Sequence, residues 1–293
     1  MEYQLFQAIV EVLAQEVKGS VFWASHQKYS DAAIVRVWFW AVIHDRPVCW
    51  AVQIAHWPIH LRAQLKLPSN ATMSRRLRSD HVRQLLVRLE KRLITPTQRG
   101  WYWMIDGKPL PIGGCSKDRQ AGYGRSAGGK AKGYKMHAII DPHGGIAAWR
   151  LAPMNFDERT MAGRLLKGAL DIAGYLVADS NYDSNKLHQL CERLGNLQLL
   201  TPRRYGPGKD IGHRSQSEGR LRSIGLLENP EATFGGALMQ QRGDIERRFG
   251  NLTNWGGGLT HLPPWIRTWK RVHRWVQAKL MLTALKRRLS ERT

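Results

Sequence analysis

Cysteine is scarce in this chain: three in 293 residues, at Cys49, Cys115 and Cys191, with no C-x-x-C pair and an odd total. That excludes a disulfide framework and a cysteine-held zinc cluster. Long apolar runs are also missing. The most apolar stretch, Ala32 to Ile43, is interrupted by Arg36 and falls short of the roughly 18 residues that a membrane span needs. The opening residues MEYQLFQAIVEVLAQEV carry no basic leader ahead of an apolar core, so no secretory signal is expected and a cytoplasmic, nucleoid-associated location is. Acids are few, 23 against 45 lysines and arginines, which leaves a net charge of +22. The excess is spread over several segments and not gathered on one amphipathic anchor, so it points to nucleic acid rather than a membrane surface. An apolar content of 43% supports a real core.

Because acids are few, their contexts are informative. Asp106 ends the run WYWMID, Asp179 ends YLVAD, and Glu246 lies inside RGDIERRFGN. A carboxylate that follows an apolar run is expected at the carboxyl end of a buried strand, where open sheets gather their chemistry. Two strand-end acids and one helical glutamate outline a site of hard oxygen ligands suited to two Mg²⁺ or Mn²⁺ ions. Arg242, Glu246 and Phe249 fall on one face of a helix expected from Leu238 to Leu252, so Arg242 is placed to steady Glu246 or to touch phosphate. Taken singly, each acid would more often be a helix cap or a solvated residue. Three rivals rank lower: Asp183 as an N-cap, Asp244 on the far side of the helix from Glu246, and Asp141 in a hairpin turn.

The chain divides near Thr95-Pro96-Thr97. Residues 1–99 read as helical, with Leu5, Phe6, Ile9, Val12, Leu13 and Val17 at helical spacing. From residue 100 to 293 the pattern is α/β. Three strands, WYWMID, YKMHAIID and GIAAWRLA, suggest an antiparallel meander, and a helix from about Asp157, the strand YLVAD, a helix from Asn185 and the strand LQLLT give a parallel continuation. Residues 117–135 read as a Gly-rich basic loop, and 202–230 as a long DNA-facing loop. A C-terminal helix is expected to open at Pro263-Pro264. Gly122-x-Gly124-x-x-Ala127 matches a dinucleotide fingerprint only superficially, since no helix-forming run follows it.

The order Asp106, then D-S-N-Y-D from Asp179, then R-x-x-x-E-R-R-F-G-N from Arg242 resembles the DDE transposases of bacterial insertion sequences, over roughly residues 100–285. The resemblance implies a ribonuclease-H-like mixed sheet flanked by helices, with Asp106, Asp179 and Glu246 as a metal-binding catalytic triad. It further implies double-stranded DNA as substrate, at terminal inverted repeats and at a target, and a homodimer as the active form. One branch of the family has Y-x₂-R-x₃-E-x₆-K around its glutamate. Here Arg242 and Glu246 fit, while Met239 and Thr253 stand at the tyrosine and lysine positions. That departure bears on positioning of the DNA end, where Arg247 or Arg248 offers a substitute. Two other readings stay open: a nuclease that cuts without joining, and a silent DNA-binding regulator.

DNA contacts are expected from three further places. In LPSNATMSRRLRSDHVRQLLVRLEKRL, Ser69 and then Ser79 or Asp80 cap two helices like a helix-turn-helix unit, which presents Thr72, Arg75 and Arg76. For any one arginine there, a solvated helix surface is an equal reading. The basic loop offers Arg125, Lys130 and Lys132, and the segment around Glu246 offers Arg242 and Arg247.

Overall fold

The computed structural model describes residues 2–18, 28–96, 100–113, 116–169, 171–205, 211, 215–231, 233–253, 258–259 and 261–291. They form two compact units, one of residues 1–94, 252–259 and 263–293, the other of 95–251 and 260–262.

The second unit is built on a mixed sheet. Its strands are β1 (Tyr102–Pro111), β2 (Gly122–Ser126), β3 (Gly129–Ile140), β4 (Ile146–Pro153), β5 (Gly174–Val177) and β6 (Leu197–Leu200). β3 pairs antiparallel with β1, β2 and β4, while β1, β5 and β6 run parallel. The three antiparallel strands read from the sequence are thus β1, β3 and β4. Helices α7 (Glu158–Leu166) and α8 (Asn185–Arg193) cover one face, where Trp103, Ile105, Ala162, Leu165, Leu176, Leu187 and Leu199 share one core. Asp157 caps α7, accepting from the Thr160 N–H at 2.8 Å, and Ser184 caps α8. Helices α9 (Glu218–Glu228), α10 (Thr233–Gln240) and α11 (Gly243–Asn251) follow, and α11 lies against β1.

Three sequence expectations change here. β1 does not stop at Asp106 but runs on to Pro111 along β3. Its parallel partner β5 does stop, at the pair Met104↔Val177. Asp106 and Asp179 therefore each stand two residues past the last parallel pair, on one face by the two-residue alternation of strands. The basic segment 117–135 is not a loop, since residues 122–126 and 129–140 pair as a hairpin. Finally, 218–228 is helical, and basic residues of the predicted loop brace the fold: Arg220 of the helix binds Asp183, and Arg203 binds Glu228. Residues 206–210 and 212–214 of that predicted loop lie outside the described residues.

The turn into β5 depends on Gly174. It has φ +87°, and a Cβ there would stand 1.9 Å from the Trp101 carbonyl oxygen. Gly174→Ala is expected to cost at least about 2 kcal/mol, from the strained conformation and the backbone clash. A chemical denaturation midpoint equal to that of the parent would show that the turn tolerates a side chain.

The first unit is helical: α1 (Glu2–Lys18), α2 (Asp31–Ile43), α3 (Val48–Ala51), α4 (Ile59–Arg62), α5 (Asn70–Arg76), α6 (Asp80–Ile94) and α12 (Trp269–Ser290). The apolar stripe of α1 is buried at Leu5, Phe6, Ile9 and Leu13. Residues 263–293, placed by the sequence reading with the α/β half, pack instead with α1, α2 and α6, because α12 buries Val272, Trp275, Val276, Leu280 and Met281. Inside this core Lys279 donates to Asp45 Oδ1 at 2.6 Å and to the Val42 carbonyl at 3.1 Å. α12 begins at Trp269 and not at Pro263, since Thr268 takes φ +69°, a left-handed conformation that a helix cannot continue. Among the described residues no helix is long and apolar enough to cross a membrane.

Candidate active site

Asp106, Asp179 and Glu246 come from three separate elements and meet at one guanidinium. Nη2 of Arg242 lies 3.9 Å from Asp106 Oδ2, 3.9 Å from Asp179 Oδ2 and 3.3 Å from Glu246 Oε1. Arg242 sits in the turn between α10 and α11, not within the single helix expected from 238 to 252. Among the described residues its Nε is buried without a partner. The cation therefore makes its ion pairs through the outer end of the guanidinium, where the three acids face it.

Each acid is anchored differently. Asp106 accepts the Gly107 N–H on Oδ1 at 2.7 Å. Burial, more than any neighbour, raises its pKa to about 6; the Asp179 charge adds to the rise, while the Gly107 N–H and Arg242 oppose it. Asp179 caps the short 3-10 turn Ser180–Tyr182, accepting the Asn181 N–H at 2.8 Å, and its carbonyl takes the Thr201 hydroxyl at 2.6 Å, which ties the turn to the end of β6. Glu246, in the first turn of α11, is the most exposed of the three, with its side chain 62% accessible.

Two further residues belong to this neighbourhood, and the sequence reading missed both. Tyr182 is fully buried, with its hydroxyl unpartnered among the described residues; desolvation, then the charges of Asp106, Glu158 and Asp179, push its pKa far up. Glu158, in the first turn of α7, acts electrostatically on Asp106 and pairs with Lys135 at 2.5 Å. The D-S-N-Y-D string held the signal for Tyr182, three residues beyond Asp179. For Glu158 no local signal exists, because the pairing of β1 with β3 brings it near.

The rival acids sort cleanly. Asp141 closes its hairpin by accepting the Gly145 N–H at 2.7 Å. Asp244 pairs with Arg247 and is absent from the Arg242 cluster. Asp183 is not an N-cap: Ser184 has that role, while buried Asp183 takes a bidentate pair from Arg220, both bonds 2.7 Å, and the Arg204 N–H.

The expected DNA-contacting side chains divide. Arg75 and Arg125 are exposed, and Lys130 and Lys132 flank the exposed ring of Tyr123 at 5.9 and 6.0 Å. Thr72 accepts from the Ser69 hydroxyl, and Ser69 caps α5 as expected. Arg76 is turned inward, donating to Asp31 at 2.6 Å and to the Tyr29 carbonyl at 2.9 Å, so it is a brace and not a base-reading arm. Arg248 is likewise occupied by the Pro142 carbonyl at 2.8 Å, which removes it as a substitute at the DNA end.

Among the described residues no three His, Cys, Asp or Glu side chains are gathered tightly enough to enclose a metal ion as they stand. The donor set nonetheless fits a hard divalent cation: three carboxylates from independent elements surround one positive nitrogen.

A family model described as the transposase DDE domain matches residues 103–285. Among curated proteins none matches the sequence. Of solved structures, the chain is similar to a cryo-EM structure of a piggyBac transposase synaptic complex with hairpin DNA, at 10% identity and a TM-score of 0.49, covering 96% of this chain and 71% of that one.

Proposed function

Given that the chain belongs to the transposase DDE domain family, we propose that it cuts DNA at the ends of a bacterial insertion sequence and joins those ends to a target, with Asp106, Asp179 and Glu246 as the working acids. The single observation that carries this reading is the convergence of the three on Arg242. Strand order β4-β3-β1-β5-β6, antiparallel and then parallel, supports a ribonuclease-H-like sheet with Asp106 on its central strand.

These acids would hold divalent ions, which supply activation of a water or 3′-hydroxyl and stabilise the departing oxygen in an in-line displacement. Arg242 keeps the three negative charges together while no other cation faces them, and withdraws toward the phosphate when substrate arrives. Exposed Glu246 has the freedom to adjust, whereas Asp106 in its strand and Asp179 in its turn each accept a backbone N–H that holds them. The exposed cations on the β2–β3 hairpin and on α5 supply backbone contacts to double-stranded DNA.

The test uses the full chain, Mg²⁺, and DNA that carries the sequences flanking its own gene. Cleavage followed by joining of precut ends to a second duplex is the expected result. Cleavage without joining would make the protein a nuclease, and binding without either would make it a regulator.

A further inference from the structure

The helical unit contains a cavity of about 460 Å³, framed by α2, α5 and the start of α12. Small-molecule sites typically run from about 300 to 1,000 Å³. Five cations line it: Arg46, Arg78, Lys270, Arg271 and Arg274. No carboxylate lines it, and none of the five takes part in an ion pair among the described residues. Such crowding of like charge costs stability unless an anion relieves it. The repulsion registers at Arg274, whose pKa falls to about 10 through burial first and then through Arg271 and Arg78.

Two other observations point to a ligand. The cavity is also lined by Trp38 and Trp265, whose indole N–H groups are buried without an acceptor among the described residues. Orphaned buried donors are rare in folded chains, and a bound group is one way to satisfy them. Thr268, Lys270 and Arg271 also line the cavity, so the positive end of the 22-residue helix α12 borders it. A flat basic surface that tracks a duplex requires neither concavity nor buried donors.

We propose that this cavity binds the phosphate ester of a single nucleotide, with the arginines and Lys270 on the phosphate and the indoles as donors and apolar walls to the remainder. The nucleotide comes either free, as a nucleoside polyphosphate, or as the terminal unit of a DNA strand. This site lies within the helical unit and needs none of the carboxylates, so it stands even if the cleavage activity fails.

The test titrates the full chain with ATP by calorimetry and with a labelled 5′-phosphorylated DNA strand by anisotropy. Arg271→Gln with Arg274→Gln is expected to weaken one or both by about tenfold or more and to lower the salt slope for DNA by about two. Arg271→Lys with Arg274→Lys should restore most of the binding. Loss for ATP alone identifies a free nucleotide as the ligand, and loss for DNA alone identifies a strand end. Should the glutamine pair fail to fold, exposed Arg46→Gln with Lys270→Gln replaces it. Equal affinity of parent and folded variant for both probes would overturn the proposal.

Discussion

Asp106→Asn is expected to lower Mg²⁺-dependent strand cleavage by at least about a thousandfold while leaving DNA affinity within about twofold. The amide keeps the size of the side chain and still accepts the Gly107 N–H that orients it. It loses the charge. That charge is one of three facing the cationic centre, and removing one hard ligand from a divalent-ion site forfeits several kcal/mol of transition-state stabilisation. DNA affinity should hold or rise slightly, because Arg242 then has one fewer acid neutralising it. Glu246→Gln should behave alike, since its greater exposure changes its freedom and not its charge. The measurement is a gel-based cleavage time course beside a binding titration. Cleavage kept within tenfold of the parent would remove Asp106 from the site.

The second large effect is on stability. Asp183 is almost wholly buried, four residues past Asp179, and ties the segment at Arg204 to α9 through Arg220. Asp183→Asn breaks a buried ion pair and leaves the Arg220 charge without its partner, at a cost of about 3–5 kcal/mol. The pH dependence follows from the same contacts. Burial alone would raise the pKa of Asp183, but hydrogen bonds from Arg220 and the Arg204 N–H, with the His188 ring 3.6 Å away, hold it well below the usual carboxylate range. The folded chain therefore keeps this charge at pH values where the unfolded chain has already taken up a proton. Its stabilisation is complete above about pH 4, the unfolded value, and fades as pH falls below that. Urea denaturation of the parent should show this acid loss, and the variant should show a correspondingly shallower one. Identical acid slopes would mean that Asp183 is not the group responsible.

What could be read from the chain follows physical lines. β1, β3 and β5 are apolar runs with buried faces, so their positions and the order of the acids were legible. The β2–β3 hairpin was not, because its residues are glycine and lysine with no apolar alternation. It is set by close approach instead: a Cβ at Gly124 would lie 2.6 Å from the Met154 carbonyl, and one at Gly122 1.9 Å from Asn155 Oδ1. α9 escaped for a related reason. Its buried residues are Gly219 and Ser223, too small to mark a stripe, and Arg220 secures it by charge. At the candidate site the acids were visible as strand-end residues, although Asp106 lies mid-strand; what ends beside it is β5. Tyr182 stood in the sequence three residues beyond Asp179, whereas Glu158 comes near only through packing, which a linear pattern does not record. α12 was assigned to the wrong neighbours, since an apolar stripe shows that a helix is buried and not against what.

The central claim is that Asp106, Asp179 and Glu246 serve one cation site. The most direct measurement is anomalous diffraction at the manganese edge from crystals of the full chain with Mn²⁺ and DNA. The account predicts a peak about 2.1–2.3 Å from carboxylate oxygens of both Asp106 and Asp179, with Arg242 displaced from its present position. Manganese bound at other acids, with Arg242 still seated among these three, would contradict it.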